Sequence, residues 1–286
     1  NYTLDQIADQ LTDGYWIWSS QSGRSFDLGR DRTLTYDVSG LGATEQYLAR
    51  SAMQAWADVS GITFEEYDAP SLTQVTEERD AAASVATTAR MAVNSRFAGS
   101  FSGSDDTDWV AVTLRAGQTY TFSLDSAEIG GIDDPYLVLR DGQGRYLEAN
   151  DDANGSSNSQ ITFTATRSGT YFLDATAYED DDRGAYDLTA VRGRPAHLVF
   201  DNDDSENGAY ATSEVTGDTI TSSFINVPDD WNADPVSLNS YWFQTYIHEV
   251  GHALGLGHGG NYNGDAKWSE DAHYRQDSVL FTIMSY

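Results

Sequence analysis

The chain has 286 residues, no cysteine, and 16 basic against 45 acidic residues, a formal net charge of −29. The missing thiols exclude a disulfide framework, a cysteine nucleophile and a thiolate metal site. So large a negative charge is repelled by nucleic acid and by anionic membrane surfaces, and no apolar run is long enough to insert into a bilayer. Two readings of the acid excess stand side by side: carboxylates gathered for calcium, which takes hard oxygen ligands, and a solvated surface suited to salty water.

The chain begins with a short amphipathic stretch, Leu4, Ile7, Ala8 and Leu11, and an aromatic cluster, Tyr15-Trp16-Ile17-Trp18. No basic n-region or apolar h-region precedes it, so a signal or pro-segment is expected to be absent or already removed. Leu34, Tyr36 and Val38 alternate with polar residues and predict a strand. Tyr47, Leu48, Ala52, Ala55, Trp56 and Val59 share one face of a helix expected over 43–59, and Ile62 to Tyr67 alternates again. Residues 71–100 are rich in Ala, Ser and Thr and show no apolar face.

From Phe101 to Val191 the pattern is all-β. Alternating runs recur at 109–114, 120–124, 136–139, 161–163, 171–174 and 186–191, with turn sequences such as Ala116-Gly117 and Ser168-Gly169 between them. That spacing predicts a β-sandwich. Acidic clusters fall at its apparent loops, and Asp134 and Asp152 are the favoured calcium ligands there, against the alternative of a solvated acidic rim. His197-Leu198-Val199-Phe200 then reads as a returning strand. Asp203 to Gly208, with Glu214 at the twelfth position, nearly matches a calcium loop, so Asp203, Asn207 and Glu214 are further candidates, against a plain acidic turn.

Phe243, Ile247, Val250 and Leu254 recur at helical spacing, with Ser237 or Asn239 as the expected cap. This helix carries the stretch His248-Glu249-Val250-Gly251-His252-Ala253-Leu254-Gly255-Leu256-Gly257-His258. Histidines four apart stand on one helical face, so both can reach one ion. Gly255 can take a positive φ, end the helix and bring His258 round as a third ligand. Three nitrogens leave a tetrahedral zinc one open position, the catalytic arrangement. Glu249 is placed to act on water, not on the metal.

The stretch 248–258, together with Thr282-Ile283-Met284-Ser285-Tyr286, resembles the metzincin signature, and most of all the serralysins, secreted bacterial zinc endopeptidases. The resemblance implies that His248, His252 and His258 bind one catalytic zinc and that Glu249 is the general base. It further implies that Met284 forms the floor beneath the metal and that Tyr286 ligates the zinc or stabilises the oxyanion. Ala209, Tyr210 and Ala211, which follow Gly208, resemble the edge strand that pairs with substrate main chain. One departure is Gly259-Gly260, where serralysins usually have a proline after the third histidine. Serralysins also continue into a C-terminal helix and a calcium-binding roll of nonapeptide repeats. None occurs here, and a fragment, one half of a nicked protein and a relative lacking the roll are all open readings.

Asp106-Thr107-Asp108-Trp109, Asp134-Pro135-Tyr136-Leu137 and Ser168-Gly169-Thr170-Tyr171 resemble blocks of the bacterial pre-peptidase C-terminal domain, a β-sandwich. The expected fold class is therefore α+β. A zincin catalytic domain, with a twisted mixed sheet and an active-site helix, is built from residues 1–78 and 194–286 and interrupted by a sandwich at 79–193. The expected function is hydrolysis of extended protein or peptide substrates outside the cell. The expected chain is a monomer, with a separate C-terminal fragment as a further partner, and it contacts neither nucleic acid nor membrane. The alternative is an adhesive or carbohydrate-binding protein that uses the sandwich, with an inactive zincin as scaffold; Glu249 has no purpose in such a scaffold. A closed structural zinc site is a third reading, and it would need a fourth protein ligand.

Overall fold

The structure, a computed structural model, describes residues 2–103, 106–153, 156–178, 183–202, 208–229, 237–264 and 266–285. The expectations for Asp203, Asn207 and Tyr286 therefore lie outside the described residues. The chain divides into two compact units, Asn1–Asp68 with Ala196–Tyr286, and Ala69–Pro195.

The first unit opens with α1 (Leu4–Asp9), a π-helical turn (Gln10–Gly14) and α2 (Tyr15–Trp18). Thr3 starts α1 with a capping box shared with Gln6, so two otherwise orphaned backbone donors are satisfied. β1 (Ser25–Phe26), β2 (Thr33–Asp37), α3 (Ala43–Ser60) and β3 (Thr63–Glu66) follow. α3 stops at Gly61, which adopts the left-handed φ of 66° that a side chain would resist. Its buried face is Leu48, Ala49, Ala52 and Met53. Tyr47 and Val59, expected on that face, are exposed.

The second unit holds β4 (Thr73–Thr76), β5 (Ser95–Phe101), β6 (Asp108–Leu114), β7 (Thr119–Ser126), β8 (Pro135–Arg140), β9 (Tyr146–Asn150), β10 (Ser159–Thr164), β11 (Gly169–Ala177) and β12 (Gly184–Arg192). They form a five-stranded sheet, β10-β7-β12-β5-β4, and a four-stranded one, β6-β11-β8-β9. Alternate side chains of both sheets, among them Val112, Leu114, Phe122, Leu124, Leu139 and Leu173, fill one core. β4 runs parallel to β5. It draws the start of this unit back to Ala69, ahead of the expected residue 79.

The chain then completes the first unit with β13 (Leu198–Asp201), β14 (Tyr210–Thr216), β15 (Thr219–Asn226), α4 (Tyr241–Ala253) and α5 (Trp268–Asp271). Its sheet runs β1-β15-β13-β2-β3, with β14 antiparallel on β15. Ser240 caps α4, accepting from the Phe243 N–H at 3.1 Å. Ser237, an expected cap, is instead engaged in the preceding turn, where its carbonyl accepts from the Ser240 hydroxyl. The deeply buried face of α4 is Trp242, Tyr246, Val250 and Ala253, while Phe243, Ile247 and Leu254 are only partly buried. The apolar stripe thus sits slightly round the helix from its expected line, because the two large aromatics take the core.

The α+β class requires correction. Strand makes up 36% of the structure and helix 19%, in three sheets, so this is a mainly β protein, and the expected zincin catalytic fold is set aside with that class. The physical reason is plain in the element lengths. Only α3, with 18 residues, α4, with 13, and the continuous helical run 4–18 exceed two turns among the described residues. The sandwich expectation fits the second unit. No helix among the described residues is long and apolar enough to cross a membrane.

Candidate metal centre

α4 sets His248 and His252 one turn apart. The helix closes at Leu254, and Gly255 turns the chain with a φ of 103°. A side chain at Gly255 would run into the backbone carbonyl of Arg24, so glycine is required there for both conformation and space. The N-terminal helix braces the turn. Trp16 Nε1 donates to the Gly255 carbonyl at 2.8 Å, and Gly257 N–H donates to the Leu11 carbonyl at 2.7 Å. The Tyr15 ring meets His258 edge-on, with centroids 5.1 Å apart.

The three imidazoles converge through their Nε2 atoms, which stand 3.0, 3.1 and 3.3 Å apart. Each Nδ1 faces a backbone carbonyl: Ile283 at 2.6 Å from His248, Leu256 at 2.8 Å from His252 and Tyr262 at 2.9 Å from His258. A carbonyl only accepts, so each Nδ1 carries the hydrogen and each Nε2 presents a lone pair. Three facing lone pairs repel one another unless a cation lies among them. Nitrogens held at about 2.0–2.1 Å around one tetrahedral zinc stand about 3.3–3.4 Å apart, so the triangle fits that ion closely. Burial favours the neutral rings a metal needs. It lowers His248, lowers His252 well below its ordinary value, and takes His258 to about 4.

Glu249 lies beside the triangle and is 6% exposed. Burial pushes its carboxyl up to about 8. It lines two adjoining hollows. One, of about 350 Å³, is mostly apolar, with Ala209, Thr245, Val279 and Ile283 in its wall. The other, of about 290 Å³, runs along Tyr210, Ala211 and Thr212 on one side and His252 and His258 on the other. Ala209, Tyr210 and Ala211 thus border the cleft at β14, which pairs only with β15 among the described strands. Met284 is buried against Gly251 of α4.

A second cluster lies in the sandwich unit. Glu77, Asp80 and Asp108 each bring a carboxylate oxygen within 4.8 Å of the others. Asp108 is fully buried; its Oδ2 accepts from the Tyr186 hydroxyl at 2.7 Å, while its Oδ1 has no hydrogen-bond partner. An orphaned buried carboxylate oxygen is costly without a cation. Asp134 and Asp152 join no such group among the described residues, and Glu214 is exposed on β14. Sequence reasoning missed Glu77 because a boundary at 79 cut it from the sandwich. It also missed the contacts of Tyr15 and Trp16 with the site, for which the aromatic cluster was the one visible signal.

Comparison with known proteins adds context. Residues 106–177 match the bacterial pre-peptidase C-terminal domain family. The chain is 37% identical over 106 residues to "Metalloprotease AprA" of Pseudomonas entomophila, a match covering 34% of this chain and 21% of that protein. It is 55% identical over 49 residues to "Serralysin C" of Dickeya chrysanthemi, covering 16% and 10%. The chain thus spans about a fifth or less of the length of these relatives. The solved pre-peptidase C-terminal domain of a Bacillus anthracis collagenase is 25% identical and covers 36% of this chain and 92% of its own, at a TM-score of 0.29, too low to bear on the fold. The chain therefore contains a domain of the pre-peptidase C-terminal type and resembles protease-related proteins over part of its length.

Proposed function

We propose that this chain is a secreted zinc-dependent endopeptidase acting on extended protein or peptide substrates. The observation that carries the reading is the convergence of three Nε2 lone pairs, with each Nδ1 tied to a carbonyl and Glu249 alongside. His248, His252 and His258 would hold the ion and leave a position open. Zinc bound there supplies Lewis acidity to a scissile carbonyl and to water. The chain's own residues do the rest. Glu249 takes a proton from the attacking water and passes it to the leaving amine. β14, at Tyr210 and Ala211, receives the substrate backbone as an added strand, which reads main chain more than side chains. Tyr286, next in sequence to Ser285, is proposed to stabilise the oxyanion. For the sandwich we propose calcium held by Glu77, Asp80 and Asp108. Export from the cell is supported by the protease names of the relatives and by the pre-peptidase C-terminal match.

The test is Glu249→Gln, which keeps the shape and removes the base. Casein cleavage should fall by about 100- to 10,000-fold while one zinc per chain is retained. Near wild-type turnover with full zinc would overturn the reading.

A further inference from the structure

We propose that Asp277 is a positioning residue for the metal centre, fastening the loop after His258 to the turn at Met284. This rests on the zinc reading above. Asp277 is 2% exposed, and no Arg or Lys pairs with it among the described residues. A buried carboxylate without a cation must be held by hydrogen bonds. Asp277 Oδ1 accepts from the Tyr262 hydroxyl at 2.5 Å and from the Ser285 hydroxyl at 2.6 Å, and Oδ2 accepts from the His273 N–H at 2.8 Å.

Its partners lead directly to two of the histidines. Tyr262 offers the carbonyl that takes the His258 Nδ1–H, and its ring stacks on His258 with centroids 5.5 Å apart. Ser285 follows Ile283 and Met284, and the Ile283 carbonyl takes the His248 Nδ1–H. One carboxylate therefore joins two segments that each orient a histidine. Outer contacts of this kind fix ring angle and basicity.

Gly259 and Gly260 make the junction possible. A side chain at either would strike the Asp277 carboxylate, and at Gly259 the Ser285 hydroxyl as well. Gly259 N–H also donates to the Met284 carbonyl at 2.8 Å, a bond a proline could not make. Together these contacts form a latch closed from both sides.

The test compares the full-length wild type with Asp277→Asn, Tyr262→Phe and His273→Ala, titrating zinc against a chromophoric chelator and timing its release. Asp277→Asn should raise the zinc Kd by about 10- to 100-fold and speed release. Tyr262→Phe, which loses one hydroxyl, should act in the same direction by about fivefold. His273→Ala keeps the backbone N–H that Asp277 accepts from and removes only a ring that meets Tyr2 and Tyr274 edge-on, so it should leave the zinc Kd and release rate unchanged. Melting with and without zinc supplies the second readout: the rise in Tm on adding zinc should shrink in Asp277→Asn. A purely structural aspartate would lower Tm equally in both states and leave the Kd and release rate alone, and that result overturns the proposal. Should Asp277→Asn not fold, Tyr262→Phe decides by the same criterion. A wild type that takes up no zinc would instead overturn the zinc reading, and this one with it.

Discussion

The sulfur of Met284 fills the space that Gly251 leaves on α4, between His248 and His252 in sequence. Trp56 closes the same spot from α3, and its Nε1 donates to the Ile247 carbonyl at 2.9 Å. Gly251→Ala would push a methyl group into both neighbours. The expected cost is about 1–3 kcal/mol of stability, with weaker zinc binding, because the helix turn carrying both histidines must shift. Met284→Leu conserves volume and should cost less than about 1.5 kcal/mol. Melting and zinc titration of the two variants check the pair, and equal effects would show that the contact does not matter.

The sandwich boundary and its calcium can be tested together. Residues 69–195 expressed alone should fold and melt higher in calcium than in chelator. A ligand at 100 times its Kd adds about 2.7 kcal/mol. Residues 79–193 lack β4 and Glu77, and should lose both that gain and part of their stability. A calcium response that survives in the shorter piece would rule out Glu77 as a ligand.

Asp125 gives the sandwich a pH dependence. It stands opposite Asp187 in the β7–β12 register. Burial first, then the Asp187 charge, push it up to about 6, with Arg96 opposing. Its unfolded value is about 3.9. Because the folded value is the higher one, its contribution is fully present below about pH 4 and is lost as pH rises through about 6. Asp125→Asn removes the titration, so its advantage over wild type should widen from pH 5 to pH 8, reaching about 1–3 kcal/mol. Calorimetry at both pH values checks this, and a constant gap would contradict it.

What could be read from sequence was what is local. Helix pitch alone puts His248 and His252 on one face, and a glycine at 255 signals the turn. Strand alternation and turn dipeptides likewise mark the sandwich. Asp277 was illegible for the opposite reason: it lies far along the chain from His258 and is one acid among 45 acidic residues, with nothing in its neighbourhood to mark it as buried. The α4 cap moved to Ser240 because three nearby residues, Ser237, Asn239 and Ser240, are all competent, and only the turn decides among them. The fold class failed because helix-bearing motifs drew attention out of proportion to their share of the chain.

The bond from Trp16 to the Gly255 carbonyl joins residues 239 apart in sequence. On the ribosome, neither it nor the neighbouring Leu11–Gly257 bond can form until the whole intervening chain, sandwich included, has been made. Local contacts form early and such distant ones late. The brace behind the third histidine is thus among the late contacts to close: its N-terminal half, Leu11 and Trp16, waits unpartnered until the stretch that carries all three histidines has itself been made.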